Sequence, residues 1–194
     1  IPDMSTVGLD EFTKLFYTQL DKKALIIDDR MNGGGNVSPM IIERLQREVY
    51  RMNMYRNGSE GLATIPESTH HGPKVCLVDK YSSSDGDLFP YGFQKLGIGP
   101  LIGTRTWGGI VGISGSKPYV DGQDVRTPFF TSYSTDGKWI LENEGVTPDI
   151  YVDINPFEDY LGNDAQLNKA VEVLLEQIKT YPQLPGVPKP RVMD

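Results

Sequence analysis

Residues 24–40 read ALIIDDRMNGGGNVSPM. The run Ala24–Asp28 is apolar without alternation, which suits a strand covered on both faces, as in a parallel sheet. A glycine turn follows. Ser38 can then N-cap a helix with Pro39 at its first position, and Ile42, Leu45, Val49 and Met52 predict that helix's buried face. The pattern returns at 74–96, where KVCLVD (74–79) leads into a segment rich in Leu and Phe that reads as helical to about Leu96. PLIGT (100–104) is another short strand. This βαβα order predicts an α/β domain with a largely parallel sheet and right-handed crossovers.

On the N-terminal side, Leu9, Phe12, Phe16 and Leu20 recur at spacings of three and four and predict a helix over 8–22. From Gly108 to Asp153 the texture changes. Short β runs (KPYV, RTPFFTSY, KWIL) are broken by Asp121-Gly122 and Asp136-Gly137, which read as hairpin turns. A last helix over about 164–180 packs through Leu167, Val171, Leu174 and Ile178, and Pro182 ends it. The final stretch YPQLPGVPKP, with four prolines, reads as an extended tail. The expectation is one domain over 1–180 and a tail over 181–194.

A chain of 194 residues suits one domain with a sizeable core. Its net charge of −7 argues against nucleic acid as the main partner, because phosphate binding needs a basic surface. No window approaches the roughly 20 apolar residues of a membrane span. The start, IPDMSTVGLDEF, has neither an initiating methionine nor a signal peptide's charged start and apolar region, so an excised or processed piece is expected. Any signal would precede Ile1, which leaves cytoplasmic and periplasmic or secreted locations open. The single Cys76 excludes an intramolecular disulfide.

Three stretches could carry chemistry. RMNGGGN (30–36) is a turn whose glycines allow positive φ, or a set of free backbone N–H groups for an oxyanion or phosphate. It lacks the G-x-G-x-x-G of a dinucleotide site, since Ser38 stands at the third position. YSSSDGDLFP (81–90) admits two readings. Ser84 and Asp87 have capping-box spacing, while a strand end, a sharp turn and a helix start together expose a nucleophile. LENEGVTPD (141–149) places Glu142 and Glu144 after a β run, where solvated carboxylates are the default. With Asp28, Asp29, Asp85 and Asp87 these acids could gather round a metal, but no EF-hand or His-x-x-x-His spacing supports that. His70 and His71 lie in a loop-like stretch, and nothing in the spacing brings either within the roughly 3 Å of Ser84 that a general base needs.

Three elements in order carry a resemblance: an apolar run into D-x-R-x-N-x-G-G (28–35), Y-S-x-S (81–84) after a second apolar run, and G-V-x-P-D (145–149). The set resembles the tail-specific (C-terminal processing) serine peptidases, and Ser-Asp-Gly-Asp with L-E-N-x-G-V-x-P-D is similar to the tricorn branch. The likeness extends from about residue 8 to about 180. It implies a crotonase-like α/β spiral of the Clp peptidase superfamily. It further implies Ser84 as nucleophile and an oxyanion hole from the Asp85 amide and one amide of Gly34-Gly35. Glu142 is implied to orient the serine and histidine machinery, with no metal or organic cofactor. Peptide or protein substrates and ring-shaped homo-oligomers are implied as well. The processing peptidases' lysine belongs in R-T-F-G-K-G; here RTWGGI (105–110) has Gly109 in its place, which excludes a Ser–Lys dyad there. The branch's histidine lies upstream, ahead of a PDZ domain, and His70 and His71 do not match it. Two other classes remain: a non-catalytic peptide-binding or assembly module, and crotonase acyl-CoA chemistry. The latter has no basic cluster here for the CoA phosphates.

Overall fold

In the computed structural model, which describes residues 1–56, 63–115 and 117–189, the run 74–78 is a strand with every residue buried. The elements in chain order are α1 (Thr6–Tyr17), β1 (Leu25–Asp28), α2 (Ser38–Leu45), β2 (Arg51–Asn53), β3 (Ala63–Ile65), β4 (Lys74–Val78), α3 (Asp85–Lys95), β5 (Leu101–Gly103), β6 (Gly112–Gly115), β7 (Arg126–Phe130), β8 (Ile150–Tyr151), α4 (Pro156–Tyr160) and α5 (Ala165–Thr180). A parallel four-stranded sheet runs β1-β4-β5-β8, and two antiparallel pairs, β2-β3 and β6-β7, stand apart from it. The expected α/β class holds, with a parallel sheet and a hairpin region.

The absence of alternation in KVCLV has a direct cause. Val75 and Leu77 pack with Ile102 against Ala170 and Leu174 of α5. Cys76 and Val78 point the other way, into a larger core with Phe12 and Phe16 of α1, Ile41 and Leu45 of α2, and Phe89 and Phe93 of α3. The sheet is therefore a middle layer between helices, and both faces of β4 must be apolar.

Several expectations are corrected. α1 starts on Ser5, whose Oγ accepts from the Val7 amide at 3.1 Å, and stops at Tyr17 instead of continuing to residue 22. α2 stops at Leu45, so Val49 and Met52 are off the helix, and Met52 pairs with Thr64 in the β2-β3 ladder. Apolar spacing of three and four continued by chance where the backbone had already turned. KPYV is a turn, with the Tyr119 amide donating to the Gln123 carbonyl at 2.7 Å; its strand role falls to Gly112–Gly115. KWIL forms no named strand, and Trp139 makes only an isolated bridge to Tyr133 across the Asp136-Gly137 turn. On α5 the buried residues are Gln166, Ala170 and Leu174, whereas Leu167 and Val171 are 40% and 43% exposed. The buried stripe lies one residue round the helix from the apolar one, because the Gln166 carboxamide goes inward to donate to the Val152 carbonyl at 2.8 Å. β8 was not expected as part of the sheet. Of the tail expected over 181–194, residues 190–194 lie outside the described residues, and 181–189 form no helix or strand.

Candidate active site

β1 and β4 are adjacent and parallel, with Asp28 opposite Leu77, so the loops leaving their carboxyl ends emerge side by side. One is the glycine turn; the other is the serine triplet. They touch. A methyl group on Gly34, whose φ is +96°, would lie 2.6 Å from Ser84 Cβ and 2.8 Å from the Ser83 carbonyl oxygen. The Ser83 amide donates to the Asn32 carbonyl at 2.9 Å. Only a residue without Cβ fits at 34, because the left-handed φ and the close approach both exclude a side chain.

Ser84 stands before the first residue of α3 with φ 57° and ψ −118°, a region that favours glycine. Its side chain makes no capping bond. The capping-box reading is therefore overturned: the Ser84 carbonyl, not its hydroxyl, accepts from the Asp87 and Leu88 amides at 2.9 and 3.1 Å. The half-buried hydroxyl has no hydrogen-bond partner among the described residues, and the same holds for the amides of Asp85 and Gly35. Gly34 differs, since its amide donates to Asn32 Oδ1 at 2.9 Å.

The acids after Ser84 reach across to other loops instead of capping their own helix. The buried Asp85 carboxylate accepts from the Ser38 amide at 3.0 Å and from the Ser38 hydroxyl in a short bond. This corrects Ser38 as an N-cap: α2 carries no side-chain cap on its own strand of backbone, and the acceptor at its start comes from α3. The buried Asp87 accepts from the amides of Gly108 and Gly109 at 2.8 and 3.3 Å.

Glu142 is tied to the same loop. It lies between Leu141 and Asn143, with φ of 64° and 62°. Its Oε2 accepts from the Ile110 and Val111 amides at 2.8 and 3.0 Å. Oε1 has no partner among the described residues. The Trp107 amide donates to the Ser82 carbonyl at 3.0 Å, and the Asn143 amide to the Gly108 carbonyl at 2.6 Å. Residues 107–111 thus connect the serine turn to the Glu142 turn by successive backbone amides. At Gly109 a Cβ would sit 2.1 Å from the Trp107 ring.

The histidines are elsewhere. They precede the amino end of β4, whereas Ser84 follows its carboxyl end; at about 3.3 Å per residue the strand alone separates them by about 16 Å. His70 Nε2 meets the Lys22 carbonyl at 2.9 Å, and His71 Nε2 the Pro182 carbonyl at 2.8 Å. Burial first, then the nearby Lys74 ammonium, lowers the His70 pKa to about 4. Burial alone lowers that of Lys74 to about 8, and its Nζ donates to the His70 and Gly72 carbonyls. Neither histidine can be the base for Ser84.

Two side chains that sequence reasoning did not single out organise the site. Arg30 donates to Asp28 at 2.6 Å and to Asp164 at 2.8 Å, fastening the end of β1 to the start of α5. Asn32 is fully buried and bonds both loops. Their only signal was their place in the D-x-R-x-N motif. The six acids named earlier do not converge, and among the described residues no cluster of His, Cys, Asp or Glu could hold a metal ion.

Known proteins are similar to this chain in sequence and fold. The profile of peptidase family S41 matches residues 1–152. The chain is 39% identical over 190 residues to the tricorn protease of Thermoplasma acidophilum, a match covering 96% of this chain and 18% of that protein. It is 39% identical over 181 residues to a tricorn protease homolog of Saccharolobus solfataricus, covering 92% of this chain and 16% of that protein. The chain thus spans under a fifth of the length of these relatives. A crystal structure of the tricorn protease superposes with a TM-score of 0.87 at 39% identity, over 93% of this chain and 17% of that one. The photosystem II D1 C-terminal processing protease shares the fold, with a TM-score of 0.59 at 18% identity over 90% of this chain and 45% of that one.

Proposed function

Because the chain belongs to peptidase family S41, we propose that it is the nucleophile-bearing core of a serine peptidase that cleaves peptide bonds through an acyl-enzyme on Ser84. The observation that carries this reading is the contact of Gly34 with an unpaired, strained Ser84. Two loops distant in sequence meet there, and the amides of Gly35 and Asp85 have no partners among the described residues. Peptide or protein chains are the substrates by analogy with the tricorn relatives, and residues 1–180 form the core.

The general base is a histidine from an upstream segment of the same protein, associated with a PDZ domain. The remote positions of His70 and His71 support this. The histidine takes the Ser84 hydroxyl proton as Oγ attacks the peptide carbonyl carbon. The carbonyl electrons move onto oxygen, and the Gly35 and Asp85 amides stabilise the oxyanion. When the tetrahedral species collapses, the imidazolium gives its proton to the departing amine. Water then attacks the ester by the same route and releases the second product. Glu142 steadies this machinery with its free Oε1, while Oε2 stays on the Ile110 and Val111 amides. Assembly into homo-oligomers belongs to the same proposal. The isolated chain, without a base, is nearly inactive.

Fluorophosphonate labelling of the full-length protein tests the reading. Labelling that disappears in Ser84→Ala supports it. An unlabelled wild type means a non-catalytic binding or assembly module. Strong peptidase activity of the isolated chain that is lost in His70→Ala or His71→Ala means that the base is wrongly assigned.

A further inference from the structure

Asp29 has no role in the chemistry above, yet it is completely buried beside the site. Its Oδ1 accepts from Asn32 Nδ2 at 2.8 Å, and its Oδ2 has no partner among the described residues. Burial pushes the carboxyl well above the usual carboxylate range, and the Asn32 bond opposes that only in part. The Asp29 backbone is equally fixed: the amide donates to the Leu77 carbonyl at 3.0 Å, and the carbonyl accepts from Ser82 Oγ at 2.8 Å.

Asn32 uses both ends of its carboxamide. Nδ2 faces Asp29 Oδ1, with a longer contact of 3.4 Å to the Ile1 carbonyl, and Oδ1 takes the Gly34 amide at 2.9 Å. Its own carbonyl takes the Ser83 amide at 2.9 Å. A carboxamide turned over would set NH₂ against the Gly34 N–H, donor against donor. The Gly34 donor and the Asp29 acceptor favour the same orientation, and Asp29 holds the Nδ2 end. One side chain thus sets the peptide on the glycine side of Ser84, and its backbone carbonyl sets the peptide on the serine side.

We propose that Asp29 and Asn32 are a positioning pair for the oxyanion hole: the Asp29 carboxyl fixes the direction of the Asn32 carboxamide, which holds the Gly34 amide and leaves the Gly35 amide as the donor beside that of Asp85. This inference rests on Ser84 being the nucleophile. The pair acts through Gly34 and touches no reacting atom.

The test uses the full-length protein with a peptide substrate and a matching peptide aldehyde, whose hemiacetal oxyanion occupies the hole. Asn32→Ala is expected to lower kcat by roughly 10²–10³, the loss typical of one oxyanion donor. Aldehyde affinity should fall in parallel while KM stays within about threefold. Asp29→Leu should do the same. Asp29→Asn, which keeps a neutral acceptor for Nδ2, should keep at least a third of kcat. If Asn32→Ala does not fold, the two Asp29 variants decide alone. Unchanged kcat and aldehyde affinity in folded Asn32→Ala or Asp29→Leu overturn the inference, as does equal loss in Asp29→Asn and Asp29→Leu. Ser84→Ala separates the two levels. Retained activity there removes the nucleophile reading itself, whereas its loss together with unaffected Asn32 and Asp29 variants removes only the positioning pair.

Discussion

The backbone of Ser84 makes a quantitative prediction about stability. With φ 57° and ψ −118°, the residue sits where a Cβ is penalised, by about 1–3 kcal/mol. Its hydroxyl contributes no hydrogen bond to offset that. Ser84→Ala removes the hydroxyl but keeps the Cβ, so its stability should stay within about 0.5 kcal/mol of wild type. Ser84→Gly removes the strain as well. Glycine gives back about 0.5–1 kcal/mol through the extra freedom of the unfolded chain, so the net gain should be about 0.5–2 kcal/mol. For a domain of this size that raises Tm by about 1–8 °C. Urea or thermal unfolding of the three proteins, in parallel with fluorophosphonate labelling, measures both sides. Both variants should be unlabelled, and only the glycine variant should be more stable. A glycine variant no more stable than the alanine one would refute strain at this position.

Asp85→Ala leaves the Ser38 amide and hydroxyl without their acceptor; at about 1–3 kcal/mol for each buried group, a loss of about 2–6 kcal/mol is expected. A double-mutant cycle with Ser38→Ala should show coupling of at least 1 kcal/mol. Gly34→Ala combines the φ of +96° with the 2.6 Å approach to Ser84 Cβ, and it should lower both stability and Ser84 labelling, read by denaturation and by probe. His70 and Asp29 give opposite pH slopes. His70 has a folded pKa of about 4, against about 6.5 unfolded. The unfolded chain then binds a proton that the fold refuses. Stability should fall as pH drops from about 6.5 to about 4, by up to about 1.4 kcal/mol per unit, and His70→Gln should flatten that limb. The Asp29 carboxyl is raised on folding, so its contribution is present below about pH 4 and lost as pH rises through its folded pKa. Asp29→Asn should therefore gain on wild type as pH increases, measured by urea unfolding from pH 4 upward.

The parallel sheet was legible because burial on both faces writes a clear signal into the sequence: Val75–Val78 leave no charged position between Lys74 and Asp79. The meeting of the glycine and serine loops was implied by the family resemblance; its physical cause is that β1 and β4 are parallel neighbours sharing a carboxyl edge. What the sequence could not display was the direction of side chains across loops. Asp85 and Asp87 look like first-turn acids of their own helix, yet both satisfy amides of other loops. Ser84 and Asp87 have capping-box spacing, but the positive φ at Ser84 turns the hydroxyl away from that bond. Periodicity also misled at α5, where buried Gln166 has an acceptor that only tertiary structure supplies. Strand β8, two residues long, is below what any pattern can reveal.

The one cysteine of the chain lies at the centre of β4, fully buried, with its thiol pushed well above the usual range by burial. Alkylating reagents attack the thiolate, so Cys76 can react only while the middle layer is open. At ordinary domain stabilities of about 5–15 kcal/mol such openings are rare. The rate at which a maleimide or iodoacetamide consumes this thiol under native conditions is consequently a gauge of how often the sheet breathes, and the molecule carries that gauge without an engineered label.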